Sequence, residues 1–379
     1  MTSLPPAEIG APFSDIDTPA LVIDLDAMER NMALMAERVK TLGVRIRPHA
    51  KTHKSAIIAA KQVALGAVGV CCQKVAEAEA LAAGGVRDIL VSNEVVGARK
   101  LARLAALARQ INVGVCVDQF EQIALIDEAA RKAGSHIRVL VEIDVGGRRC
   151  GVTPGPAAAK FAAEIARRDN LRFGGLQAYH GSAQHLRTPA ERKAAVEAAQ
   201  KAVVDTLAHL KAAGFACDTI GGAGTGTFVL EGGSGIWNEL QAGSYIFMDA
   251  DYAKNTADEG GNWPKFEHAL FVLATVMSAT SNEQAVVDAG HKALSNDSGF
   301  PAVWQRPGLD YHRPSDEHGV VTVAPGAARP AWGEKLLLVP GHCDPTVNLY
   351  DWYVGVRDFG TPRARVETIW PVDARGTVR

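Results

Sequence analysis

The stretch 43–85, "GVRIRPHAKTHKSAIIAAKQVALGAVGVCCQKVAEAEALAAGG", decides the fold of this 379-residue chain. A β-branched run, "GVRIRPHA", hands over to an alanine-rich helical pattern, "KSAIIAAKQVALG", and the pair returns as "AVGVCCQ" and "KVAEAEALAAGG". Outward from there, "DILVSN", "INVGVCVD", "IRVLVEID", "RFGGLQAYH", "CDTIGGAG" and "ELQAGSYIFM" complete eight strand candidates. Nearly all-apolar strands alternating with helices signal a parallel sheet covered by helices, because strands buried on both faces dispense with polar alternation. Eight such units over about 220 residues predict an α/β fold, a (β/α)8 TIM barrel. A doubly wound open sheet fits less well. No G-x-G-x-x-G follows the first strand, and the residues able to do chemistry follow many different strands.

After about residue 265 strands come without helices: "ALFVLATVMSAT", "QAVVDAG", "GVVTVA", "KLLLVPGHCD", "WYVGVRD" and "RVETIWPV". They predict a C-terminal mainly β domain. "PALVIDL", ahead of the first barrel helix, is expected to join it. Residues 25–255 would then form the barrel, residues 1–24 and 265–379 the β domain, and the polar, glycine-rich stretch 253–264 the linker.

Composition narrows the function. Forty basic against 42 acidic side chains give a formal charge of −2. Such a balance leaves no global field to recruit nucleic acid or an anionic membrane, so the expected partner is a small molecule. No apolar run approaches the roughly 18 residues of a membrane span, and the N-terminal stretch lacks the pattern of a signal peptide, so a cytoplasmic location is expected. The six cysteines, 71, 72, 116, 150, 217 and 343, contain no C-x-x-C and are expected as buried reduced thiols.

In a barrel all strand ends converge on one mouth. Lys51 ends the first strand there, while Lys54 is expected in the first turn of the following helix. With Arg45 or Arg47 and His49 nearby, like charge and partial desolvation would lower the Lys51 amine pKa, as Schiff-base chemistry needs. The competing reading is a solvated cationic loop, and His53 and Lys54 are expected either to stand behind the site residues or to face solvent. Glycine-rich "GGAGTGT" (221–227) and "AGSY" (242–245) end the seventh and eighth strands, where barrels commonly bind a phosphate. In "PGHCDPTVNLYDWY", His342 and Asp344 would share one face of an extended strand and suit a divalent ion. A hydrogen-bonded His–Asp pair is the alternative.

"RPHAKTHKS", "GVCCQKVAEAEAL", "VEIDVGGRRCGV", "LQAYHGSAQH", "GGAGTG", "ELQAGSYIFMDADY", "DEHGVV" and "LVPGHCDPT" resemble the D-threonine aldolase family. These are pyridoxal-phosphate enzymes of the barrel-plus-β-domain class shared with alanine racemase. The resemblance implies that Lys51 carries pyridoxal 5'-phosphate, and that Gln73, Arg149 and Tyr252 lie against it. It implies that Thr225, Gly243 and Ser244 bind the phosphate. His342 and Asp344 match the ligands of a divalent metal, Mn2+ or Mg2+, and His180 matches a histidine that helps deprotonate the substrate hydroxyl; His185 could support it. The implied activity is retro-aldol cleavage of D-threonine and other D-3-hydroxy-amino acids to glycine and an aldehyde. A homodimer is also implied, with "DEHG" (316–319) near the partner's site. D-serine dehydratase-like enzymes resemble the chain too, but their metal pair reads His-x-Cys; here the thiol comes one residue early, at Cys343. "AYHG" is similar to the threonine branch, whereas "GHCDPTVNLYDWYVGVR" resembles 3-hydroxy-D-aspartate aldolases, in which "AYQG" is usual. Single-domain pyridoxal-phosphate carriers lack the β domain.

Overall fold

A computed structural model describes residues 4–257 and 265–379. The first nine strands are β1 (Ala20–Asp24), β2 (Arg45–Ile46), β3 (Val70–Cys72), β4 (Asp88–Glu94), β5 (Asn112–Val117), β6 (Ile137–Glu142), β7 (Leu171–Ala178), β8 (Thr219–Gly222) and β9 (Glu239–Leu240). Then come β10 (Leu270–Ser278), β11 (Gln284–Val287), β12 (Ala302–Val303), β13 (Leu309–Pro314), β14 (Gly319–Val323), β15 (Lys335–Val339), β16 (Trp352–Arg357) and β17 (Arg365–Pro371). The helices are α1 (Leu25–Leu42), α2 (Ala56–Ala64), α3 (Val75–Ala83), α4 (Ala98–Leu107), α5 (Phe120–Ala133), α6 (Pro156–Ala166), α7 (Pro189–Ala212), α8 (Phe228–Gly233) and α9 (Cys343–Val347).

Strands β2 to β9 form one parallel sheet in the order β2-β9-β8-β7-β6-β5-β4-β3. Its two ends meet: Cys71 N–H donates to Pro48 O at 2.9 Å and Ala50 N–H to Cys71 O at 2.8 Å, closing the expected barrel. Val115, Cys116 and Val117 are fully buried on both faces of β5, which explains the unbroken apolar run there. Local signals set the helix ends. Asp24 caps α1 by accepting from Ala27 N–H at 3.0 Å, and Gly43 ends it with φ 69°.

The other sheet has nine strands. Within it β1 lies between β10, antiparallel, and β16, parallel, so the strand leading into α1 pairs with C-terminal ones. Strand β13 was not foreseen. Its sequence, "LDYHRP", exposes Asp310, His312 and Arg313 and ends in proline, so it reads as a loop.

Two local expectations fail. Helix α2 starts at Ala56, leaving Lys54 ahead of it with φ 50°. Of the two positions expected for Lys54 and His53, the one behind the site residues is found: both are buried, with Lys54 Nζ paired with Glu77 and His53 Nε2 3.2 Å from Gln62 Oε1. His342 and Asp344 do not lie on an extended strand, since β15 stops at Val339 and His342 is the N-cap of α9. Pro345 is compatible with that helix because it falls in the first turn. All six cysteines are free, four of them buried. Of the expected linker, 258–264 lie outside the described residues, and Tyr252–Lys254 is a 3-10 turn. No helix among the described residues is long and apolar enough to cross a membrane.

Candidate active site

The C-terminal ends of the barrel strands and the turn entering α9 enclose a cavity of about 340 Å3, within the usual range for a small-molecule site. Lys51, Gln73 and Arg149 line it, as do Thr225, Gly243 and Ser244. Tyr252, His342 and Asp344 complete the expected set, with one exception. His180 is not on the wall. Its Nδ1 faces Ser182 Oγ at 3.3 Å, and its ring lies so close to Gly146 that a Cβ there would sit 2.6 Å from Nε2.

Lys51 follows the β2 extension, and its Nζ lies 3.0 Å from Asp344 Oδ2. This contact reverses the expected pKa direction: the Asp344 carboxylate raises the Lys51 ammonium, outweighing the desolvation that would lower it. Arg47, foreseen as a repelling neighbour, is neutralised by Glu239 and Asp88. His49 is buried, and desolvation together with Lys51 pushes its imidazole well below the ordinary value, so it is neutral. Its Nε2 lies 2.8 Å from Gln73 Nε2 and 3.1 Å from Ser92 Oγ. Glu77 of α3 accepts from Gln73 N–H at 2.8 Å while also pairing with Lys54, so one buried carboxylate fixes the loops after β2 and β3.

Beside the Lys51 loop, the loops after β8 and β9 approach each other, as the neighbouring strands β2, β9 and β8 dictate. Tyr245 N–H donates to Thr225 Oγ1 at 2.9 Å. A Cβ on Gly243 would meet Thr52 Oγ1 at 2.6 Å and His49 O at 2.9 Å, so no larger side chain fits there. Small residues and the Thr225 and Ser244 hydroxyls, lining one cavity with a lysine, fit pyridoxal phosphate.

His342 and Asp344 converge despite their helical setting, with Nε2 3.9 Å from Asp344 Oδ2. One ion about 2.1 Å from each atom could span that gap. His342 Nδ1 is already engaged by Asp297 Oδ2 at 2.7 Å, which leaves Nε2 as the ligand atom. Burial alone would lower His342, but Asp344 and Asp297 raise it. Burial would raise Asp344, but Lys51 and His342 hold it well below the usual carboxylate range. A nitrogen and a hard oxygen fit a divalent cation.

His185, expected either to support His180 or to hold an ordinary loop position, lines the cavity. Its Nδ1 lies 2.6 Å from Asp251 Oδ2, and its ring tilts against Tyr252 at 5.5 Å. An Nδ1–H donated to that carboxylate leaves Nε2 free to accept a proton. Arg187 holds Asp251 from the other side, donating from Nη1 to its carbonyl at 2.8 Å. The second aspartate of "DADY" was the available signal.

The family model described as alanine racemase, N-terminal domain, matches residues 23–251. A 3-hydroxy-D-aspartate aldolase of Paracoccus denitrificans is 48% identical over 98% of this chain and 95% of its own. A D-threonine aldolase of Arthrobacter is 47% identical over 99% of this chain and 97% of its own. This chain belongs to the D-threonine aldolase family. The solved D-threonine aldolase of Filomicrobium marinum superposes on this family member with a TM-score of 0.96 at 55% identity, covering 99% of this chain and all of that one. A family model described as a serine dehydratase domain matches residues 269–356, within the β-rich C-terminal region.

Proposed function

We propose that the protein cleaves D-threonine and related D-3-hydroxy-amino acids to glycine and an aldehyde, with pyridoxal 5'-phosphate on Lys51 and Mn2+ or Mg2+ on His342 and Asp344. The observation that supports this reading is the Lys51–Asp344 contact of 3.0 Å, since it would let a cofactor on Lys51 and a metal on Asp344 share one substrate. Pyridoxal phosphate supplies an electron sink for the pair released when Cα–Cβ breaks. A divalent ion supplies a Lewis acid that makes the 3-hydroxyl easier to deprotonate.

The chain's own residues do the rest. Thr225, Gly243 and Ser244 anchor the phosphate, and Gln73 and Tyr252 hold the ring. Arg149, whose guanidinium stands 5.7 Å over the Tyr179 ring, offers a cation to the substrate carboxylate or the ring oxygen. His185 Nε2 takes the hydroxyl proton, and Asp251 steadies the imidazolium that forms. This assignment moves the base from His180 to His185, on the wall geometry.

Wall charge does not select the substrate side chain. Among the described residues of the wall, Lys51 is matched by Asp344, while Asp144 and Glu142 add carboxyl groups. Burial pushes Glu142 up to about 9, so it keeps its proton, and Arg149 stands on the same wall. The choice of D-threonine over 3-hydroxy-D-aspartate therefore rests on the "AYHG" motif. A homodimer, with "DEHG" (316–319) near the partner's cavity, is part of the proposal. Sedimentation equilibrium tests it, and a monomer would remove it.

The deciding experiment mixes protein, pyridoxal phosphate and Mn2+ with each substrate and identifies products by mass spectrometry. Glycine and acetaldehyde from D-threonine are expected. Glyoxylate from 3-hydroxy-D-aspartate at a higher kcat/KM would reassign the substrate. Ammonia and 2-oxobutanoate would make the protein a dehydratase.

A further inference from the structure

We propose that Asp249 is the positioning residue of the His342/Asp344 pair, tying the last barrel loop to the turn that carries both metal ligands. The proposal rests on the metal-dependent reading above. Asp249 is fully buried, and its two oxygens serve two different segments. One accepts from Tyr252 N–H at 2.9 Å and the other from Cys343 N–H at 3.2 Å. Two further bonds run the same way: Ala250 N–H to Pro340 O at 2.9 Å and Asp251 N–H to Gly341 O at 3.2 Å. At its other end the loop is fixed to Ser244, whose carbonyl accepts from Met248 N–H at 2.7 Å.

The anchored amide is the one between the two ligands. His342 precedes it and Asp344 follows it, so holding Cys343 N–H holds the backbone that sets their 3.9 Å spacing. Cys343 is also the first residue of α9, where no intrahelical acceptor exists for its N–H. A carboxylate answers both donors, whereas a carboxamide offers a single acceptor oxygen and turns its own N–H groups on the second. Partners one bond removed from the ligands commonly govern metal affinity.

The test titrates Mn2+ into cofactor-loaded protein and follows free Mn2+ by electron paramagnetic resonance, with cofactor absorbance and melting temperature alongside. Asp249→Asn is expected to raise the Mn2+ Kd about 10- to 100-fold, keep the absorbance, and regain most of kcat at saturating Mn2+. Cys343→Pro gives the same rise by removing the donor instead. Proline is tolerated at the first helical position, and His342 before it is already extended, with φ −143° and ψ 122°. Tyr353→Phe is the structural control. It removes another buried hydrogen bond, to His53 O at 2.7 Å, and should lower the melting temperature while leaving the Mn2+ Kd unchanged. A wild-type Kd in both Asp249→Asn and Cys343→Pro, or an equal rise in Tyr353→Phe, overturns the proposal. Equal Mn2+ binding by wild type and His342→Ala would instead remove the metal reading on which it stands.

Discussion

Two histidines in one "AYHGSAQH" segment separate at the residue scale. His180 packs over Gly146, whereas His185 faces the cavity with Asp251 behind it. His185→Ala is therefore expected to lower kcat by about 10²- to 10⁴-fold, the usual contribution of a positioned base, with cofactor absorbance intact. His180→Gln should stay within a few-fold in the same aldehyde-release assay. The reverse pattern would restore His180 as the base. Lys51 and Asp344 divide in a similar way. Lys51→Ala should abolish the absorbance of bound cofactor near the visible edge, while Asp344→Ala keeps it and loses turnover. An Asp344→Ala enzyme that stays active in chelator would remove the metal role. The residues implied by motif were readable from the chain, but the direction of the Lys51 pKa was not, because Asp344 reaches it only through the fold.

At the scale of elements, short helices and loops at the barrel mouth carry unusual burial. Glu231 on α8 is 3% exposed, accepts from Thr227 Oγ1 at 2.7 Å, and is pushed up to about 7 by burial. A folded-state pKa above the unfolded value means the folded state holds the proton more tightly. Its contribution is then full below about 4.5 and lost as pH rises through about 7. Glu231→Gln should flatten the melting temperature between those limits relative to wild type, a difference of up to about 3 kcal/mol. Parallel slopes for the two proteins would refute it. The loop after β9 gives a second case. Gly243→Ala puts a Cβ 2.6 Å from Thr52 Oγ1 and should cost about 1–3 kcal/mol in denaturant unfolding and weaken cofactor binding. Unchanged stability and binding would show that the two loops can part. All eight barrel strands were legible as apolar runs, whereas β13 was not, since an edge strand with charged outward residues resembles a loop.

At the scale of the molecule, the two sheets are laced together around the Lys51 loop. Tyr353 Oη donates to His53 O at 2.7 Å, Asp373 Oδ2 accepts from Ala56 N–H at 2.7 Å, and Ala374 N–H donates to Lys54 O at 3.0 Å. Asp373 thereby satisfies the first N–H of α2 from the far end of the chain. Asp373→Ala is expected to cost about 1–2 kcal/mol, as loss of a helix cap does, read from the urea midpoint. No change in that midpoint would show that α2 does not depend on the other sheet.

Hydrophobic periodicity by itself determined the barrel, the β-rich C-terminal region and the strand end that bears Lys51, because burial on one or both faces of an element is written into its local spacing. Long motifs determined the family and most of the cavity wall. The tertiary structure alone decided which groups meet: Asp344 with Lys51, Asp297 with His342, Asp251 with His185, and Asp249 with the amide of Cys343. Each of these contacts joins residues far apart in the chain, and their charges, protonation and orientation follow from distance and burial, which no local spacing encodes.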